Sequence, residues 1–221
     1  MGIVKKILRA SDLRKSRLHD EKGNLVDFAG LCYLPQVIVS GFLRVIFKRR
    51  PKVPWISYRA ISEIEKLMRS DWKVVEFGSG SSTAWVAKRC GFLYSIENNE
   101  DWYRMISQEL DKGKISNVRY ELRSDSDYSD LSKVDDCSLD FALVDGWNRA
   151  DCMRQVIKKI KKGGYIYLDN SDKYANDPDG DIRVAENLLI QAVNERSGTL
   201  KYFVDFAPSQ FFVNEGLLAR L

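Results

Sequence analysis

The sequence has a single histidine, His19, so a Ser-His or Cys-His nucleophile system would have to be built in the polar front segment. Its four cysteines, Cys32, Cys90, Cys137 and Cys152, form no C-x-x-C pair. That argues against a zinc site and predicts reduced thiols in a cytosolic protein. No G-x-x-x-x-G-K-[ST] run exists to cradle a nucleotide triphosphate. No repeat and no low-complexity tract is present. The opening "MGIVKKILRASDLRKSRLH" is too charged for the apolar core of a signal peptide, and its Met-Gly start has Lys6 where a myristoylation signal wants Ser or Thr.

What remains is 221 residues, 44% hydrophobic and 30% charged, enough for one α/β domain with an extension. The net charge of +4 is unevenly placed. Residues 1–70 hold 15 Lys/Arg against 6 Asp/Glu, whereas 71–221 hold 20 against 25. The front third therefore either faces an anionic partner or is a solvated basic surface. Within it, "LCYLPQVIVSGFLRVIF" (31–47) is apolar, is interrupted by Pro35 and Arg44, and ends against Lys48, Arg49 and Arg50. It falls short of the roughly 20 residues a spanning helix needs. A helix packed on the domain is the first expectation, and a surface-lying amphipathic anchor the second.

Pro51 and Pro54 divide an extension, residues 1–54, from a domain, residues 55–221. Ser57 reads as an N-cap to a helix through "YRAISEIEKLMRS". Strand-like runs follow at 73–77, 92–97, 117–122, 139–145 and 163–169, with helical patterns filling the gaps. This alternation predicts a doubly wound, mostly parallel α/β sheet. After a long helix at "DIRVAENLLIQAVNERSG", the runs 200–206 and 215–221 have no helix between them, which predicts an antiparallel strand pair at the sheet edge.

The stretch "VVEFGSGSST" (74–83) is where the first strand turns into its helix, the place where such sheets bind ligands. Gly78 and Gly80 free the backbone; Ser81, Ser82 and Thr83 offer hydroxyls. Glu76 precedes the turn, and Glu97 ends the next strand, where a carboxylate can accept both hydroxyls of a ribose. A nicotinamide site would want glycine at position 83, which is Thr83. The ligand expected is adenosine-like without a required pyrophosphate.

With "YSIENNEDWY", "LVDGWNRADC" and "KKGGYIYLDNSD", this stretch resembles the class I S-adenosylmethionine-dependent methyltransferases over roughly residues 55–221. The resemblance implies a seven-stranded Rossmann-like sheet and S-adenosylmethionine as cofactor. Gly78, Ser79 and Gly80 would lie along its methionine and ribose, with Glu76, Ser82 and Thr83 beside them. Glu97 and Asn98 would hold the ribose side, Ser124 and Asp125 the adenine, and Asp145 and Gly146 the region of the sulfonium.

The place of an Asn/Asp-Pro-Pro-aromatic run, usual in amino methyltransferases, reads "DGWN", and no Pro-Cys occurs. Oxygen is therefore the expected acceptor atom, on a small molecule or glycan. Asp145, Asp169 and Asn170 end adjacent strands and resemble the layout of cation-dependent O-methyltransferases, which implies an Mg²⁺ site. The alternative is a polar cluster that orders the loop. The usual lysine three residues past the first Asp is Asn148 here, followed by Arg149, so the base is open between Asp145, Lys173 and Asp172. The loop 171–181 is expected at the substrate mouth; Trp55 and Tyr58 are either pocket walls or core. A peripheral membrane contact through residues 1–50, on the cytoplasmic face, fits the basic extension. An RNA methyltransferase and a non-catalytic cofactor-binding domain are the rival readings.

Overall fold

The computed structural model describes residues 11–48 and 51–221. The start at Met1–Lys6 and the cations Arg49 and Arg50 lie outside the described residues. Two helices, α1 (Phe28–Leu31) and α2 (Leu34–Phe47), open the chain, and α3 (Tyr58–Leu67) follows. Ser57 caps α3 as expected, its Oγ accepting from the Ala60 amide at 3.3 Å. The alternating part runs β1 (Lys73–Phe77), α4 (Ser81–Ala87), β2 (Phe92–Glu97), α5 (Glu100–Lys112), β3 (Val118–Leu122), β4 (Leu139–Val144), α6 (Arg149–Lys159), β5 (Ile160–Leu168) and α7 (Asp181–Glu195). The chain ends in β6 (Thr199–Phe206) and β7 (Val213–Arg220).

All seven strands form one sheet in the order β3-β2-β1-β4-β5-β7-β6. The first five are parallel, and β7 runs antiparallel between β5 and β6. The predicted fold class is thus the observed one. One boundary differs: β5 starts at Ile160, directly off α6, because Ile160 already pairs with Leu139 before the ladder shifts register and resumes at Phe141 and Tyr165. Gly163, with φ at +80°, turns the chain within that irregular stretch.

Period-two alternation sends side chains to the two faces of the sheet. Val75 and Phe77 meet Met153 and Val156 of α6 and Leu189 of α7 on one face. Val74 meets Ile61 and Ile64 of α3 and Trp85 and Val86 of α4 on the other. Glu76 shares that second face, which decides its role below.

The extension is held to the β6–β7 edge. Val26 and Val37 pack with Phe206 and Val213. Arg14, almost fully buried, donates to Asp172 at 3.0 Å, to Asn214 at 2.9 Å and to the Val213 carbonyl at 3.2 Å. Asp172 also accepts from the amides of Glu21 and Glu215. The first expectation was a helix packed on the domain, and α2 packs there through a strip that includes Val37 and Gly41. Gly41 is close enough to Phe211 that a Cβ would fall 2.4 Å from the ring. The opposite face is exposed.

Candidate cofactor cleft

The turn after β1 is set from behind. Glu76 is fully buried and accepts from the hydroxyls of Thr83 and Ser95, each at 2.7 Å. Thr83 Oγ1 in turn accepts from the Gly80 amide at 3.0 Å. Burial pushes the Glu76 carboxyl up to about 7, opposed by the hydroxyls of Ser82, Ser95 and Thr83, which favour the charged form. Glu76 and Thr83 therefore fasten the turn to the sheet and do not line the cleft. The reason is strand alternation, which points Glu76 under α4.

In front, Gly78 has φ at +89°, and a Cβ there would meet the Gly146 Cα at 2.7 Å and the Asp145 carbonyl at 2.8 Å. A Cβ on Gly146 would fall 1.9 Å from the Tyr128 hydroxyl. Two loops thus touch backbone to backbone where β1 and β4 end, and only glycine permits that approach.

This contact forms the floor of a cleft of about 450 Å³, lined by Gly78, Ser79, Gly80, Ser81, Ser82, Glu97, Asn98, Asn99, Asp145 and Gly146, and walled by Trp55, Trp102, Tyr128 and Trp147. The volume is within the roughly 300–1,000 Å³ usual for small-molecule sites. A larger groove of about 1180 Å³, between Lys48–Val53 and α4, shares only Ser81 with it and gathers no strand ends. The smaller cleft is the site, because nine of its lining residues come from the carboxyl ends of β1, β2 and β4 and the loops they feed.

Glu97 is the best-ordered acid in the cleft. One oxygen accepts from the Ser79 amide at 2.9 Å and its hydroxyl at 2.7 Å; the other accepts from the amides of Asn98 and Asn99 at 3.0 and 2.9 Å. Tyr120 meets the Ser79 hydroxyl at 2.6 Å. The Asn98 amide reaches Asp125 at 2.9 Å, so Asp125 touches the cleft through Asn98 alone. Ser124 bonds Ser126 and Asp127 and does not line the cleft.

The carboxyl ends of β4 and β5 carry a different chemistry. Arg149, a buried cation at the start of α6, donates to Asp145 Oδ1 at 3.0 Å, to the Gly146 carbonyl at 3.1 Å and to the Asp169 carbonyl. The Lys173 ammonium donates to Asn170 Oδ1 at 2.6 Å. Burial first, and the Asp145 charge second, push the Asp169 carboxyl well above the usual carboxylate range. Among the described residues no group of three or more His, Cys, Asp or Glu is placed to hold a metal ion. Of the expected Mg²⁺ ligands, Asp145 Oδ1 accepts from Arg149 and Asn170 Oδ1 from Lys173, while the Asp169 carboxyl meets the Tyr167 hydroxyl at 3.3 Å.

Lys173 also lies outside the cleft lining, and Asp172 is bound by Arg14 and two amides, so neither stands beside the cleft as a base. The first part of loop 171–181 is tied to the extension, with the Tyr174 amide donating to Glu21 at 3.0 Å. From the sequence Arg149 is named only as the neighbour of Asn148, without a role. Its signal was a cation four residues after a strand-end acid. The start of α6 is further secured by Asp181, whose oxygens accept from the amides of Arg149 and Ala150 at 2.8 Å each.

The residues present fit an adenosine-type cofactor: a glycine cradle that a Cβ would fill, a carboxylate ringed by neutral donors, and aromatic walls. No protein-family model and no curated protein sequence matches the chain. Solved structures do. A putative O-methyltransferase from Klebsiella pneumoniae superposes with a TM-score of 0.59 at 15% identity, over 89% of this chain and 90% of its own. An rRNA methylase from Streptococcus thermophilus gives 0.53 at 14% identity, over 74% and 93%. A putative methyltransferase from Streptococcus mutans, solved in complex with SAH, gives 0.52 at 11% identity, over 72% and 94%. Together with the strand order and the reversed β7, these likenesses give the chain the fold of the class I S-adenosylmethionine-dependent methyltransferases.

Proposed function

We propose that the protein is an S-adenosylmethionine-dependent methyltransferase acting on a hydroxyl oxygen of a small molecule or glycan. The observation that carries this reading is the cleft itself. Gly78 against Gly146 makes its floor, Glu97 sits at one end, and Asp145 at the other.

When bound, S-adenosylmethionine supplies an electrophilic methyl group on a sulfonium. The chain's own contribution is placement and proton handling. Glu97 would hold the ribose by accepting from its hydroxyls, which would take the place of the Ser79 hydroxyl that it accepts from now. Trp55, Trp102 and Trp147 shield the cleft from water. Asp145 is the carboxylate at the cleft whose second oxygen is not engaged by Arg149, and it takes the proton that the acceptor oxygen loses as that oxygen gains the methyl. Alignment of acceptor and methyl contributes on the order of 7–11 kcal/mol in such reactions.

The test is incubation of the full chain with methyl-labelled S-adenosylmethionine and a panel of hydroxylated small molecules, sugar nucleotides and total RNA. Label on a hydroxyl compound, lost in Asp145→Asn, supports the reading. Label on RNA alone moves the acceptor to nucleic acid. Cofactor binding with no transfer to any acceptor makes the chain a binding domain.

A further inference from the structure

Helix α2 has a face that the fold leaves unused. Ile38, Val39, Phe42, Val45, Ile46 and Phe47 are each more than half exposed, and Phe28 just upstream is 83% exposed. Single exposed apolar residues are ordinary, but a contiguous row of them along one helix marks a contact surface. The sequence around it is one-signed: from Phe28 to Ser62 there are six Lys or Arg and no Asp or Glu.

We propose that α2 is a docking surface for an anionic lipid bilayer, lying in the headgroup plane with its apolar row inserted and the Lys48–Lys52 end against lipid phosphates. An apolar face ending in clustered cations is the pattern of an interfacial helix. A span is excluded by geometry. At 14 residues α2 rises about 21 Å, short of the roughly 30 Å hydrocarbon layer. Although Phe28–Phe47 is long and apolar enough to cross by composition, its inner strip is fixed to the domain. Ser40 bonds the amide and hydroxyl of Ser209 at 2.9 and 3.0 Å, and Gly41 packs on Phe211. A second copy of the chain fits this face less well, because from Phe28 to Ser62 the sequence offers no acid to a mate's cations, and Arg59 is already answered by Asp27 and Asp205.

The surface is joined to the cleft. The Arg44 guanidinium lies over the Trp55 ring, 4.8 Å from its centroid, and Trp55 walls the cleft. An apolar groove of about 670 Å³, between Pro35, Val39, Leu43, Pro51 and Tyr58, offers an acyl chain a place beside the helix. Docking would hold the cleft's Trp55 edge near the headgroups, where a lipid-carried hydroxyl is presented. The proposal reads binding alone, so its failure leaves the reading of the cleft standing.

The experiment is sedimentation of the full chain with vesicles of phosphatidylcholine alone or mixed three to one with phosphatidylglycerol. The same protein is examined for dimers by analytical ultracentrifugation. Phe42→Ser/Val45→Ser/Ile46→Ser replaces exposed side chains only; a second variant is Lys48→Ser/Lys52→Ser. The expected result is pelleting with the anionic vesicles, lost to background in the triple variant. In the lysine variant, or at high salt, it falls by about tenfold or more. No pelleting at low salt, or pelleting that the triple variant retains, overturns the proposal. A stable dimer that the triple variant dissolves assigns the face to a second copy instead and overturns it equally. RNA binding lost in the lysine variant, without vesicle binding, does the same.

Discussion

The two halves of the sheet mouth hold the same kinds of residue and treat them differently. At the ends of β1 and β2, Glu97 is satisfied by amides and a serine hydroxyl, neutral donors of which the hydroxyl can yield to an incoming ribose. At the ends of β4 and β5, Asp145 and Asn170 are satisfied by Arg149 and Lys173, cations fixed in the chain. A carboxylate surrounded by neutral groups is a receptor. One held through a single oxygen by a buried guanidinium is oriented, with its second oxygen left for proton transfer. The difference sets a carboxylate whose hydroxyl donor can be exchanged apart from one held on one side by a fixed cation.

The largest expected effect tests the cation-held half. Arg14→Ala would leave Asp172 buried without its cation and should cost about 3–5 kcal/mol in urea unfolding. It should also loosen the Asp169–Asp172 turn that Arg14 pins from behind. Next, Gly78→Ala combines a left-handed backbone with a 2.7 Å clash against Gly146. It should cost on the order of 2–4 kcal/mol and abolish binding of S-adenosylhomocysteine in calorimetry.

A third prediction uses Glu76. Its carboxyl titrates near 7 in the folded chain, above its ordinary value of 4.5. Between these values the folded state holds a proton that the unfolded chain has released. Stability therefore falls as pH rises through that window, by an amount on the order of 3 kcal/mol. Asp169, also raised by burial, acts in the same direction. Glu76→Gln should keep the hydroxyl acceptor for Thr83 and Ser95 and flatten the decline between about pH 5 and 8 in denaturant titrations. An unchanged slope would mean that Glu76 is ionised when buried. The smallest effect concerns metal. Because Arg149 holds Asp145 Oδ1 and Lys173 holds Asn170 Oδ1, neither EDTA nor added Mg²⁺ should change the thermal midpoint.

What the sequence made legible follows from range. The glycine turn, the strand-end acids and the reversed last pair are written in local period and turn chemistry, and each stands where the pattern put it. The partner of an acid is not local. Arg14 and Asp172 are 158 residues apart, and Asp181 caps α6 from 32 residues away. Nothing in the pattern around "LDNSD" says whether its oxygens await an ion or already have cations. The face that Glu76 takes, by contrast, follows from simple strand alternation.

The most direct measurement is calorimetric titration of S-adenosylhomocysteine into the full chain and into Glu97→Ala. One site in the parent, weakened about 10- to 100-fold in the variant, is the predicted result. No heat in the parent, or equal affinity in both proteins, would contradict it.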